Sequence, residues 1–136
     1  MSDPKTVYLA GAINSCTDAE AHGWRDALTE SLNSRAPLTK VLNPMDRDYR
    51  GIESENVSSI VESDMLDVQR SDLIACVMQR PSVGTSMEIL YAYQLEIPVL
   101  VFWDSKEIPS PWLVYHATTF TDKDEWEESV ITNLSN

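Results

Sequence analysis

The feature that most constrains the fold is the alternation of strand-like and helix-like segments along the whole chain. Segments 73–78 and 98–103 are unbroken apolar runs, as expected of central parallel strands that are covered on both faces. Segment 6–10 is short and partly β-branched, and it ends at Gly11, which is typical of a buried strand that enters a tight turn. The weaker segments 39–42 and 118–120 complete a predicted set of five strands.

Segments with helical periodicity lie between these strands. Asp18 is the expected N-cap of a helix in which Ala21, Trp24, Leu28 and Leu32 recur at helical spacing. The other predicted helices cover residues 58–70, 85–95, 112–116 and 126–134, and a long polar loop covers residues 45–55. Strict alternation of this kind requires right-handed crossovers. The sequence therefore predicts one domain over residues 1–136, an α/β Rossmann-like (flavodoxin-like) fold with a five-stranded parallel sheet flanked by helices.

Charge and composition narrow the range of partners. The net charge of −12 repels polyanions, so a nucleic-acid polymer is a poor partner. No apolar run reaches the roughly 18–20 residues of a membrane span, and the first residues do not resemble a signal peptide. The two cysteines and two histidines lack metal-ligand spacing. We expect a cytoplasmic protein without a metal or other cofactor, and a buried Cys76.

The loop after the third strand is the first candidate for ligand binding, because ligands of open parallel sheets bind beyond the carboxyl ends of the strands. It carries Ser82, Gly84, Thr85 and Ser86 around the start of a helix. Glycine permits close backbone approach, and free amide groups at a helix N-terminus bind anions. Hydroxyl residues are also common helix caps, so the segment fits either an anion cradle or an ordinary cap.

Glu88 is the strongest candidate for chemistry, because it lies one turn into that helix among apolar residues. A carboxylate that faces a crevice can act as a nucleophile or base, although a first-turn acid also complements the helix dipole. Asp64 can bring a second carboxyl group to the crevice, and paired carboxylates are the standard means of breaking glycosidic bonds. Taken singly, Asp64, Asp67 and Asp72 are most simply solvated acids or caps, and Tyr8 is a core aromatic.

Together these segments resemble the nucleoside 2-deoxyribosyltransferase superfamily from about residue 6 to residue 120. The order and spacing of the following segments carry the resemblance: 8–13, 43–46, Asp64, 71–74, 84–89 and 91–92. It implies a nucleoside or nucleotide substrate. It also implies a homodimer or larger homo-oligomer in which a neighbouring subunit completes each site.

The same resemblance implies roles for individual residues. Glu88 matches the nucleophile that forms a covalent deoxyribosyl intermediate, Asp64 the acid that assists proton transfer to the departing base, and Tyr8 the tyrosine that positions the nucleophile. The implied contacts to the sugar are Gly11, Ile13 and Asn14, and those to the nucleobase are Met45, Asp46 and Asp48.

Ser82 distinguishes two branches of that superfamily. Transferases that act on free nucleosides carry an aspartate there to hold the sugar 5′-hydroxyl, whereas a serine beside helix amides accommodates a 5′-phosphate. The segment 81–84 resembles the branch that hydrolyses 2′-deoxynucleoside 5′-monophosphates. That branch also uses a serine from the adjacent subunit, and Ser110 is the matching residue. The implied phosphate contacts are Ser82, Gly84, Thr85, Ser86 and a neighbour's Ser110.

We therefore expect hydrolysis of the N-glycosidic bond of a (2′-deoxy)nucleoside 5′-monophosphate to a free base and (deoxy)ribose 5-phosphate. One alternative is a nucleoside 2-deoxyribosyltransferase that exchanges bases between deoxynucleosides. The other is a nucleotide-binding sensor without turnover, since Rossmann-like domains often serve that way.

Overall fold

The computed structural model describes residues 3–135 and contains a five-stranded sheet in which every neighbouring pair is parallel. The strands are β1 (Thr6–Gly11), β2 (Lys40–Leu42), β3 (Leu73–Met78), β4 (Val99–Trp103) and β5 (Thr118–Phe120). They pair in the order β2-β1-β3-β4-β5, which is the flavodoxin-like order. The predicted fold class is confirmed. Residues 1, 2 and 136 of the predicted domain lie outside the described residues.

Within residues 3–135, four α-helices connect successive strands and a fifth follows β5. They are α1 (Asp18–Arg35), α2 (Val57–Gln69), α3 (Val83–Gln94), α4 (Pro111–His116) and, after β5, α5 (Lys123–Leu134). The predicted loop at 45–55 contains two short 3-10 turns, Pro44–Asp46 and Glu53–Glu55. None of the helices described between residues 3 and 135 is long and apolar enough to cross a membrane.

The expected N-cap of α1 was wrong by one residue. The Thr17 hydroxyl accepts a hydrogen bond from the Glu20 amide at 3.1 Å, and the Glu20 carboxylate accepts one from the Thr17 amide at 3.0 Å. This reciprocal capping box satisfies two amide groups at once, whereas Asp18 lies inside the first turn. Asp18 instead forms an ion pair with Arg50, in which Arg50 Nη2 lies 2.8 Å from Asp18 Oδ1.

Side chains alternate between the two faces of the sheet and form two separate apolar cores. Helices α1 and α5 cover one face, where Trp24 and Trp126 pack edge to face with ring centroids 6.1 Å apart. Helices α2, α3 and α4 cover the other face, which holds Tyr8 and the fully buried Cys76. The expectation that Cys76 is a core residue is confirmed.

The strand order creates the crevice that concerns function. The chain leaves β1 toward β2 on one side and later leaves β3 toward β4 on the other. The connections on either side of the β1–β3 pair therefore diverge, and a crevice opens beyond the carboxyl ends of these strands. The loop after β1 and the start of α3 border this crevice.

Candidate active site

Glu88 and Tyr8 form the central pair of the site. Tyr8 lies on β1, is almost fully buried, and donates its hydroxyl hydrogen bond to the Glu88 Oε2 atom on α3. The Glu88 side chain retains partial exposure to solvent. A buried tyrosine thus fixes one carboxylate oxygen and leaves the group accessible from the crevice.

Burial makes Glu88 an unusual carboxyl group. Burial is the main cause that raises the pKa of Glu88, the Tyr8 hydrogen bond and the charge of Arg25 oppose the rise, and the nearby Asp64 adds to it, so that the pKa is about 8. The pKa of Tyr8 is also raised, first by burial and then by Glu88, so the phenol stays protonated and continues to donate. Near neutral pH the Glu88 carboxyl group can therefore exchange between its protonated, acidic form and its ionised, nucleophilic form.

Asp64 brings a second carboxyl group to the same crevice from α2. It is half-buried, and burial raises its pKa while Arg47 lowers it. Its charge raises the pKa of both Glu88 and Tyr8, so Asp64 lies within electrostatic reach of the pair. The structure thus brings together the three residues that the sequence analysis selected as catalytic.

Arg47 and Asp67 extend this cluster, and the sequence analysis missed both. One Arg47 nitrogen, Nη2, donates to Asp64 Oδ1 at 3.1 Å and to Asp67 Oδ2 at 2.8 Å. The prediction that Asp67 is a solvated acid or a helix cap was wrong, because Asp67 is only 7 % exposed to solvent. The available signal was an arginine between Asp46 and Asp48, in the long polar loop that holds the implied base contacts.

Gly11 is required by close packing at the end of β1. A Cβ atom there would lie 3.0 Å from the Trp24 side chain and 3.0 Å from a carbonyl oxygen of β3. The Gly11 carbonyl accepts a hydrogen bond of 3.0 Å from Arg25, which is fully buried. After this anchored glycine, Ile13 is half-buried and Asn14 is exposed, so the loop presents both residues beside the crevice.

The hydroxyl groups before α3 cap the helix. Ser82 is the N-cap, and its Oγ atom accepts from the Thr85 amide at 3.3 Å and donates to Thr85 Oγ1 at 3.0 Å. Ser86 donates to the Ser82 carbonyl at 2.7 Å. A Cβ atom at Gly84 would meet nothing within 4 Å, so a ligand can approach this backbone closely. Capping and anion binding are both compatible with this arrangement.

The predicted base-contacting segment has mixed exposure. Met45 is buried, and Asp46 is exposed. Asp48 is held by Arg50 through hydrogen bonds of 2.7–3.2 Å, which lower the pKa of Asp48 to about 2. Asp48 is therefore ionised at every ordinary pH.

Ser110 lies at a different cavity of the same chain. It is the N-cap of α4 and, with Ser86 and Met87, lines an apolar cavity of about 340 Å³ between α3 and α4. Glu88, Tyr8 and Asp64 do not line this cavity.

The fold and the site together define a class of protein. A doubly wound α/β domain with a tyrosine-bound carboxylate and a second carboxyl group at its switch point can attack an electrophilic carbon of a small ligand and move a proton. Among residues 3–135, no group of three or more His, Cys, Asp or Glu side chains is arranged to hold a metal ion.

The chain belongs to the nucleoside 2-deoxyribosyltransferase family, whose model matches residues 7–124. It is therefore an enzyme of the nucleoside deoxyribosyltransferase type. No curated protein matches the sequence.

Solved structures share the fold. A 2-deoxyribosyltransferase from Bacillus psychrosaccharolyticus superposes with a TM-score of 0.72 at 17 % identity, over 93 % of this chain and 95 % of the other. A conserved protein from Enterococcus faecalis V583 also gives 0.72 at 17 % identity, over 96 % and 97 %. A CMP N-glycosidase from Clostridium botulinum gives 0.56 at 15 % identity, over 96 % and 100 %.

Proposed function

We propose that this enzyme hydrolyses the N-glycosidic bond of a (2′-deoxy)nucleoside 5′-monophosphate to a free base and (deoxy)ribose 5-phosphate. The observation that carries the proposal is the Tyr8–Glu88 hydrogen bond beside a partly buried Asp64, in a member of a family that acts on this bond. Ser82 is the N-cap of α3, where an aspartate would repel a phosphate, and this supports the proposal of a phosphorylated substrate.

In the first step, a carboxylate oxygen of Glu88 attacks C1′ of the sugar. The C1′–N bond breaks, its electron pair leaves with the base, and Asp64 transfers a proton to the base nitrogen. The products are a glycosyl ester of Glu88, a neutral base and an ionised Asp64. Burial raises the pKa of both carboxyl groups, and this step requires Glu88 to be ionised and Asp64 to carry the proton.

In the second step, water attacks C1′ of the ester. Its proton passes to the Asp64 carboxylate, and the electron pair of the C1′–O bond returns to Glu88. Both carboxyl groups thereby regain their starting states. Tyr8 donates to Glu88 throughout and stabilises its negative charge at the start and at the end.

The phosphate is assigned to the start of α3. The amide groups of the first turn point out of the helix and favour an anion, and the exposed backbone at Gly84 allows close approach. The hydroxyl groups of Ser82, Thr85 and Ser86 would exchange part of their capping bonds for bonds to phosphate oxygens.

The sugar and base are assigned to the loops on either side. Gly11, Ile13 and Asn14 would surround the sugar beyond the end of β1. Met45 offers apolar contact to the base, and Asp46 and Asp48 offer acceptors for an exocyclic amine, as in cytosine or adenine.

We also propose that the enzyme is a homodimer or larger homo-oligomer in which Ser110 contacts the phosphate in a neighbour's site. Apolar side chains on α3 and α4 are highly exposed: Val83 is 76 % and Trp112 is 76 % exposed. A second copy that covers these helices would bury them and bring its own Ser110 toward the first copy.

A panel of nucleotides tests the reaction. Deoxynucleoside 5′-monophosphates and the matching nucleosides are incubated with the enzyme, and free base is followed by chromatography. Release from monophosphates, without a second base and with little release from nucleosides, is the expected result. Reaction with nucleosides only in the presence of a second base would indicate base exchange instead. Binding without any turnover would indicate a sensor.

A further inference from the structure

The Arg47 side chain connects the proposed base-binding segment to the proposed acid. It directly follows the turn Pro44–Asp46, and it reaches α2, where its Nη2 atom is shared by Asp64 Oδ1 and Asp67 Oδ2. Asp67 is nearly inaccessible, whereas the Asp64 side chain is 25 % exposed. Asp67 therefore serves as the buried anchor, and Asp64 is the member that faces the crevice.

This arrangement restricts the orientation of Asp64. With Oδ1 bound to Arg47, the second oxygen, Oδ2, remains available to hold a proton and present it to a ligand. The Asp67 carboxylate shares the arginine, so the positive charge is divided between two acids and does not fully favour ionised Asp64. A single Asp64–Arg47 pair without Asp67 would hold the acid in its ionised form more strongly.

We propose that Arg47 is a positioning residue that, anchored by Asp67, orients Asp64 for proton transfer to the departing base. This inference rests on the proposed function, because Asp64 is the acid of that reaction. It extends the proposed function by assigning roles to Arg47 and Asp67, on the side of Asp64 away from the crevice. It also predicts that loop 44–50 affects the chemical step and not only base binding.

The electrostatic consequence follows from all the charged groups around Asp64. Arg47 and the more distant Arg25 lower the pKa of Asp64, whereas burial and Asp67 raise it, and Glu88 and Tyr8 lie nearby on α3 and β1. Loss of Arg47 removes the largest lowering influence. The pKa of Asp64 should then rise, while its orientation is lost.

The kinetic test uses the leaving group. The natural purine nucleotide is compared with its N7-methyl form, whose base already carries a positive charge and departs neutral without a proton from the enzyme. Arg47→Met should lower kcat for the normal nucleotide by about 10- to 100-fold with little change for the activated analogue. Asp64→Asn should show the same selectivity, and Arg47→Lys should restore much of the loss.

Arg35→Met is the matched control. Arg35 pairs with Glu128 at 2.7 and 2.8 Å between α1 and α5, on the opposite face of the sheet. This variant also loses an arginine from a double hydrogen bond, and kcat should not change with either substrate. Equal losses with both substrates in Arg47→Met would indicate only a structural role and would overturn the inference.

A second readout does not require turnover. The Asp64 carboxyl carbon is titrated by ¹³C NMR in the free wild-type protein, in Arg47→Met and in Arg35→Met. The inference expects a higher pKa of Asp64 only in Arg47→Met, and an unchanged pKa would overturn it. If the wild type releases no base from any nucleotide, the proposed function fails separately, and this titration still reports whether Arg47 controls Asp64.

Discussion

At the residue scale, the Tyr8–Glu88 pair has the most direct consequence for pH dependence. The Tyr8 hydrogen bond lowers the pKa of Glu88 against the effect of burial. Tyr8→Phe keeps the ring and removes that bond, so the pKa of Glu88 should rise above about 8. The nucleophile must be ionised, so the rising limb of the kcat/KM profile should move to higher pH. At a fixed pH below the pKa of Glu88, each unit by which that pKa rises leaves about tenfold less ionised enzyme.

Tyr91→Phe is the control for this prediction. Tyr91 lies on α3, the helix that carries Glu88, and its hydroxyl accepts a hydrogen bond from Gln69. The profile of Tyr91→Phe should overlay that of the wild type. A Tyr8→Phe profile that loses height without moving along the pH axis would contradict the assigned role.

Glu88 should also affect folding stability. Its folded pKa of about 8 exceeds the ordinary value of 4.5, so the folded state binds the proton more tightly than the unfolded state does. Stability contributed by this proton is present at low pH and is lost as the pH rises through about 8. Glu88→Gln should therefore be more stable than the wild type at pH 8.5, by on the order of 2–4 kcal/mol, with little difference at pH 4.5. Urea unfolding at the two pH values measures this, and equal differences at both would contradict it.

At the element scale, the start of α3 combines a cap with the proposed phosphate site. Ser82→Ala removes the cap and should cost about 1 kcal/mol of stability. If the serine also holds phosphate, KM for the monophosphate should rise about tenfold or more, while KM for the nucleoside stays nearly constant. Steady-state kinetics with both substrates measures the difference.

Asp122→Ala provides the comparison for a cap alone. Asp122 is the N-cap of α5 and accepts from the Glu125 amide at 3.0 Å. Its loss should cost similar stability without a change in the preference between monophosphate and nucleoside. If both variants change that preference equally, capping explains the effect of Ser82.

The apolar pattern was sufficient to predict the elements and their order. Continuous apolar runs identified β3 and β4 as central strands, because only buried strands tolerate such runs. Element ends were less accurate: α3 begins at Val83, two residues before the predicted start, because Ser82 caps it. Several side chains compete to cap a helix, and the sequence alone does not show which of them bonds.

The contacts of the site were predictable only in part. Tyr8 lies inside β1, Asp64 on α2 and Glu88 on α3. Both helices cover the face of the sheet that holds Tyr8, so topology brings these elements together. The Arg47 contacts depend on how a loop with two 3-10 turns folds back on α2. That path has no hydrophobic periodicity from which it could have been inferred.

At the scale of the whole molecule, the net charge of the protein opposes binding of the proposed nucleotide substrate. The net charge is −12, so the general field repels a nucleotide phosphate. Three of the arginines near the site are already engaged by carboxylates: Arg47, Arg50 and Arg80. Local amide groups and hydroxyls at α3 are therefore the groups on which phosphate recognition would depend.

The two faces of the molecule also differ in their exposed side chains, and this predicts where copies meet. Trp112→Glu should convert an oligomer to monomers, because Trp112 lies on α4 with 76 % exposure in one chain. Leu38→Glu changes an equally exposed residue, at 75 %, in the loop after α1 and should leave the oligomer intact. Sedimentation velocity distinguishes the outcomes, and a monomeric wild type would contradict the proposal.

The account depends most on Glu88 as the nucleophile, and trapping its ester tests this directly. A nucleotide with fluorine at the 2′-arabino position destabilises the oxocarbenium-like transition states and slows hydrolysis of the ester. Mass spectrometry should then find the protein heavier by one sugar phosphate, with the label on the peptide that contains Glu88. Base release without any adduct, or a label on another residue, would contradict the covalent mechanism.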